Sequence, residues 1–89
     1  MPYIQSETRP LYDQEIDLIL NKLQDGGFPE GDVVYILYRL MTGWWKRSSR
    51  RFKDINHIRG TLHSTLHEFD RRIADKYEDL AIEKNGDVI

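Results

Sequence analysis

An apolar stripe in the C-terminal part of this 89-residue chain constrains the fold more than any other sequence feature. Nine large apolar side chains follow one another at intervals of 3, 3, 4, 4, 3, 4, 4 and 3 residues: Phe52, Ile55, Ile58, Leu62, Leu66, Phe69, Ile73, Tyr77 and Leu80. Intervals of three and four place side chains on one face of an α-helix. The spacing therefore predicts one continuous helix over residues 52–84, which Asn85-Gly86 ends.

Two shorter helices precede this long one. Pro10 suits the first turn of a helix, and Gly26-Gly27 ends that helix because glycine adopts the left-handed cap at little cost. Asp32 is the predicted N-cap of the second helix, and Ser48-Ser49 marks its end. The second helix is apolar around most of its circumference, which favours a place at the centre of the core.

The two ends of the chain have strand character instead. We expect PYIQ at residues 2–5 and DVI at residues 87–89 to be extended and to pair as a small ribbon. The predicted fold class is therefore all-α, with three helices, a long C-terminal helix and short extended termini, in a single helical domain over residues 1–89.

The length of the third helix predicts self-association. A helix over residues 52–84 is about 50 Å long, whereas a compact globule of this size has a diameter of roughly 30 Å. The shorter helices cannot cover the whole stripe. A homodimer is the economical solution, with Phe52, Ile55, Ile58, Leu62, Leu66, Phe69, Ile73 and Tyr77 as candidates for the core or the dimer contact.

Gly60 bears on the same question. It lies about 150° from the centre of the stripe on an ideal helical wheel. Glycine there would mark close approach by a partner chain or by the terminal ribbon. We therefore predict a helix that continues through Gly60 and a Gly60→Ala variant that is less stable.

Composition excludes several classes of protein. The chain has no cysteine, which excludes disulfides, thiolate zinc sites, iron–sulfur clusters and a cysteine nucleophile. No apolar run approaches the ~20 residues that span a membrane, and the N-terminus lacks the pattern of a signal peptide. We expect a soluble cytoplasmic protein with no membrane partner and no cofactor.

A basic segment flanked by aromatic residues is the clearest local anomaly. Residues 46–59 contain six basic residues and one acid, a net +5, and the rest of the chain carries seven basic and fourteen acidic residues, a net -7. Cations beside aromatic rings can bind phosphates and stack bases. The nucleic-acid candidates are Trp44, Trp45, Lys46, Arg47, Arg50, Arg51, Lys53 and Arg59. The alternatives are a solvated turn, or a patch that meets an acidic surface on a second copy.

Two further constellations could carry chemistry. His63 and His67 share a helix face and Asp70 follows three residues later, a weak candidate set for a divalent metal. It lacks the glutamate of an HExxH motif, and the alternative is that these histidines form hydrogen bonds at an interface. The C-terminal acids Asp75, Glu78, Asp79 and Glu83 could serve a metal-dependent hydrolase, but the ExxE and ExxD spacings of all-α MazG-type phosphohydrolases are absent.

The C-terminal sequence resembles one protein family. "EFDRR" at residues 68–72, "YEDLAIE" at 77–83 and "NGDV" at 85–88, together with the opening MPYI, are similar to a family of small uncharacterised phage and prokaryotic proteins of unknown function. The resemblance covers most of the chain and is densest over residues 55–88. It implies a shared fold and a viral or mobile-element context, and it supplies no catalytic residues.

Three functions follow from these observations. The first is a small helical interaction or structural module, homodimeric and able to bind a further protein partner, without enzymatic activity. The second is a nucleic-acid-binding accessory protein that uses residues 44–59. The third is a metal-dependent hydrolase.

Overall fold

The computed structural model describes residues 3–89 and divides into two units, one ending at Arg51 and the other comprising Phe52–Ile89. The first unit holds two helices, α1 (Pro10–Asp25) and α2 (Glu30–Arg47). The second unit holds α3 (Phe52–Phe69), a π-helical turn (Asp70–Ala74) and α4 (Asp75–Asn85). These last three elements are contiguous and form a long helix of 34 residues. The predicted all-α class, with three helices and a long last one, is confirmed.

The end of α1 is a Schellman motif, as the glycine pair predicts. Gly27 has a φ of 75°, and its N–H donates to the carbonyl of Gln24 over 3.0 Å. The N–H of Phe28 donates to the carbonyl of Leu23 over 2.9 Å. These bonds satisfy carbonyls that the end of the helix would otherwise leave unpaired.

The start of α2 differs from the prediction. The cap position is Pro29, with φ -58° and ψ 129°, and the helix begins at Glu30. The carbonyl of Pro29 accepts from the N–H groups of Asp32 and Val33. Proline suits this place because the cap residue needs no N–H donor. Asp32 therefore lies inside the first turn, where its charge favours the helix dipole.

The long helix continues through Gly60, as predicted. Its regularity changes later, at residues 70–74, where the backbone adopts π geometry. There the N–H of Asp75 donates to the carbonyl of Asp70, five residues earlier instead of four. A π-turn accommodates one extra residue in an otherwise α-helical segment.

The expected terminal ribbon is wrong for the described residues. Tyr3, Ile4 and Gln5 have no regular structure, no strand occurs between residues 3 and 89, and Val88 and Ile89 are fully exposed. Met1 and Pro2 lie outside the described residues. Asp87 caps a local turn instead, since its Oδ1 accepts from the N–H of Ile89 over 3.1 Å. Three or four residues without a packed face cannot hold a two-stranded ribbon.

The close approach expected at Gly60 is also not found among residues 3–89. A Cβ built on Gly60 meets no atom within 4 Å, and its φ is not positive. Neither a ribbon nor another part of the described chain packs there. The expected effect of Gly60→Ala on stability therefore changes from a loss to a gain.

We now predict that Gly60→Ala raises the free energy of unfolding by about 0.5–1 kcal/mol, because alanine loses less backbone entropy in a helix. Gly27→Ala is the opposing control, since the left-handed conformation at Gly27 strains any residue with a Cβ. Thermal melts of both variants and the parent check this. A melting temperature lowered by Gly60→Ala would show that a second chain packs against this face.

Candidate interaction surfaces

The middle of the long helix presents a row of exposed apolar side chains. Leu62 is 40% exposed, Leu66 57% and Phe69 56%, and Ile73 and Tyr77 are exposed by more than half as well. We call these five residues the open stripe. Leucine and phenylalanine are usually removed from water in a folded protein. A contiguous row of them on one helix face is therefore typical of a contact surface.

The π-turn changes which residues continue the open stripe. An extra residue in the turn rotates every later side chain back by about 100°, the angle of one α-helical residue. Leu80 consequently leaves the face shared by Leu66 and Phe69. Tyr77 lies on the opposite edge of that face from the edge that it would occupy in an uninterrupted α-helix. The stripe predicted to run uninterrupted to Leu80 is therefore interrupted at Asp70–Ala74.

The start of the stripe has a different environment. Ile58 is only 6% exposed and is the one fully buried residue among residues 3–89. Its neighbours Ile55 and Phe52 are exposed, Phe52 by 74%. Of the predicted core and dimer candidates, Ile58 alone is a core residue of the chain, and the rest stay available for a contact.

A charge pair spans the boundary between α3 and the π-turn. The guanidinium of Arg71 binds the carboxylate of Glu68 through two hydrogen bonds, of which the Nε–Oε2 bond is 3.3 Å long. The side chain of Glu68 is 12% exposed and that of Arg71 is 61% exposed. Two parallel bonds give this pair a defined geometry.

The nucleic-acid candidates, which are the basic segment and the two tryptophans before it, divide between the two units. In the first unit, Trp44 is 43% exposed and Trp45 is partly buried. Lys46 and Arg47 are exposed at the last turn of α2. The Nη1 of Arg47 donates to the carbonyl of Gly43 over 3.0 Å, so this cation folds back on its own helix end. Cations at a helix C-terminus also interact favourably with the helix dipole.

The connection after α2 is held by Ser48. Its Oγ donates to the carbonyl of Trp45 over 2.7 Å and accepts from the N–H of Arg50 over 3.2 Å. Arg50 has a φ of 57°, in the left-handed region that favours glycine. Arg50 and Arg51 are both exposed. In the second unit, Lys53 and Arg59 are exposed on α3.

The candidate metal ligands do not form a site. His63 and His67 are exposed on α3, and Asp70 is partly buried at the first position of the π-turn. Within residues 3–89, no group of three or more His, Asp or Glu side chains is placed to hold a metal ion. The C-terminal acids Asp75, Glu78, Asp79 and Glu83 are all exposed on α4.

The structure contains a groove between α1 and α2 that the sequence does not predict. It has a volume of about 370 Å³ and is lined by Ile19, Lys22, Leu23, Asp32, Tyr35 and Ile36. Ile19 and Leu23 are four residues apart and therefore share a face of α1, but no local signal shows that this face stays open. Its walls are mainly apolar, with one cation and one carboxylate.

None of the helices in residues 3–89 combines the length and apolar character needed to cross a membrane.

The sequence matches the model of one protein family over residues 1–88, and that family is described as a domain of unknown function, DUF6899. The chain therefore belongs to this family. The match confirms membership of an uncharacterised family. No curated protein and no solved structure matches the chain.

We predict that Arg50→Gly stabilises the chain by a few tenths to about 1 kcal/mol. Glycine relieves the positive φ, worth about 1–2 kcal/mol, and its backbone entropy offsets about 0.5–1 kcal/mol of that gain. Arg51→Gly is the matched control, because it removes the same charge where φ is not positive, and it should destabilise. Urea unfolding of both variants checks the two signs. An equal loss of unfolding free energy in the two variants would show that the positive φ of Arg50 does not destabilise the chain.

Proposed function

We propose that this chain is a small homodimeric interaction module, in which the long helix of one copy packs through its open stripe on the long helix of a second copy. One observation carries the proposal: five large apolar side chains in a row on this helix are 40–71% exposed. Helices owe most of their stability to the packing of an amphipathic face. A second copy supplies that packing.

The exposed area is sufficient for a stable dimer. Taking roughly 190 Å² for a large apolar side chain, the open stripe still presents about 500 Å² of apolar surface per copy. Apolar atoms contribute about 56–65% of an interface, so a contact that buried the whole open stripe would cover about 800–900 Å² per copy. A standard specific interface buries about 800 Å² per partner.

Dimerisation through the long helix leaves Lys46, Arg47, Arg50 and Arg51 for a further partner. These cations lie at the end of α2 and in the following connection, away in sequence from the open stripe. The similarity of "EFDRR" and "NGDV" to small phage and prokaryotic proteins supports a role in a viral or mobile-element setting, in the cytoplasm. The products of neighbouring genes are the first partners to test.

We expect sedimentation equilibrium to give about twice the 10.6 kDa of the chain. Leu66→Asp should raise the dimer Kd by roughly 1000-fold or more, because the two-fold contact holds two such carboxylates and each loses water at a cost of at least about 2 kcal/mol. Ser64→Asp adds the same charge on the opposite side of α3 and should leave the Kd unchanged. Circular dichroism verifies that both variants keep their helices.

The result that contradicts the proposal is a parent chain that stays monomeric at tens of micromolar with its helices intact. Salt is a second check: an apolar contact of this kind should not dissociate at high ionic strength.

A nucleic-acid-binding accessory protein is the second candidate. The observation that favours it is the exposure of Trp44 together with that of Lys46, Arg47, Arg50 and Arg51. An accessible indole can stack on a base while nearby cations neutralise phosphates. The bound strand would have to displace the contact between Arg47 and the end of its own helix.

For this candidate we predict binding that weakens steeply with salt and no tight binding at physiological salt. Replacing Arg47, Arg50 and Arg51 by alanine should weaken binding to all sequences alike and reduce the salt slope by up to about 3. Replacing Arg9, Lys22 and Lys84, which are exposed outside the segment, is the matched control. Fluorescence anisotropy with single-stranded and duplex probes measures both. Nanomolar binding at physiological salt would place this function above the first.

A further inference from the structure

The spacing of the apolar stripe is symmetric. From Ile55 to Leu80 the intervals are 3, 4, 4, 3, 4, 4 and 3, which read the same in both directions. The centre of this pattern lies between His67 and Glu68, so stripe residues fall into pairs whose numbers add to 135. Leu66 pairs with Phe69, and Leu62 pairs with Ile73.

The geometry points to an antiparallel dimer, with a two-fold axis beside His67 and Glu68. Leu66 then faces the partner's Phe69, and Leu62 faces the partner's Ile73. This inference rests on the proposed dimer and adds its orientation and register. A two-fold contact is self-complementary, and the spacing puts an apolar residue at each level between residues 62 and 73. Leu66 and Phe69 precede the π-turn and form the centre of the contact, and Ile73 lies within the turn and is rotated part of the way off the face.

The pattern of exposure agrees with this register. The four central residues that pair with one another, Leu62, Leu66, Phe69 and Ile73, are 40–57% exposed. The next pair outward would join Ile58 to the partner's Tyr77, but Ile58 is already buried. The π-turn rotates Leu80 off this face. The contact is therefore centred on the four levels between residues 62 and 73.

Charge also favours the antiparallel orientation. The first turns of the long helix, residues 52–59, carry Lys53 and Arg59 against Asp54, a net +1, whereas residues 75–89 carry five acids and two bases, a net -3. Antiparallel pairing brings the basic end of each copy toward the acidic end of the other. Parallel pairing would bring two acidic ends of -3 together and align the two helix dipoles.

The antiparallel orientation also gives a role to His63 and Asp70, which belong to no metal site among residues 3–89. His63 and Asp70 are seven residues apart, so they border the open stripe on the same edge. In an antiparallel two-fold pair, each edge of the stripe lies beside the same edge of the stripe on the other copy. This arrangement brings His63 next to the partner's Asp70. A hydrogen bond across the dimer is then their role, and Asp70 is only partly exposed before it forms.

Distances between spin labels test the orientation. The chain has no cysteine, so a single Asn56→Cys or Asp79→Cys substitution at an exposed position gives one label per copy. The residue numbers 56 and 79 add to 135, so Asn56 of one copy lies at the level of Asp79 of the other copy in the antiparallel dimer. In the antiparallel dimer, each variant alone should show a label separation of about 35 Å, since 23 residues at 1.5 Å intervene. A mixture of the two should add a separation below about 20 Å, because helix axes lie 8–10 Å apart.

The possible outcomes separate the two proposals. A short separation for Asn56→Cys alone, in a sample that sediments as a dimer, means a parallel pair and overturns the orientation while the dimer stands. A broad distribution in a dimeric sample also overturns it. A monomeric parent overturns the dimer and the orientation together. If a label at these sites disrupts the dimer, the exposed residues His57 and Glu78 provide a second pair, with about 32 Å expected for each alone.

Discussion

A single helix cannot bury its own apolar face, and this constraint governs the second half of the molecule. The unit Phe52–Ile89 consists of one helical rod and a short tail. It has no second layer within itself, although stable architectures place at least two layers around a core. The apolar side chains from Leu62 to Tyr77 therefore need a surface that comes from elsewhere. Among residues 3–89, Ile58 is the one stripe residue that is fully buried.

The π-turn decides how the long helix can meet a partner. An α-helix without interruption would carry the apolar side chains from Phe52 to Leu80 along one nearly straight line. The turn at Asp70–Ala74 breaks that line between Phe69 and Tyr77. Apolar side chains are also less segregated to one face in α4 than in α3. The contact surface is therefore shorter than the helix, and α4 is left to present charged residues to solvent.

Local signals predicted the helices well, and individual residues show why. Gly27 ends α1 because its positive φ allows two backbone hydrogen bonds to the last turn. Asn85-Gly86 ends α4 in the same local way, with the N–H of Gly86 donating to the carbonyl of Ile82. The sequence predicts Asp32 as the cap of α2, whereas Pro29 holds that position, because both residue types suit a helix start. The predicted ribbon failed because its stability depends on distant packing that no local pattern contains.

The sequence by itself determined the fold class, the approximate ends of three helices and the residues that line the apolar face, because these depend on side chains within four positions of one another. Only the tertiary structure decided that Ile58 is buried while Leu66 and Phe69 stay open, that Gly60 has free space around it, and that a groove remains between α1 and α2. Burial depends on contacts between residues far apart in the chain. The rotation of the helix face at residues 70–74 likewise depends on which of two nearly equivalent carbonyl partners the N–H groups choose.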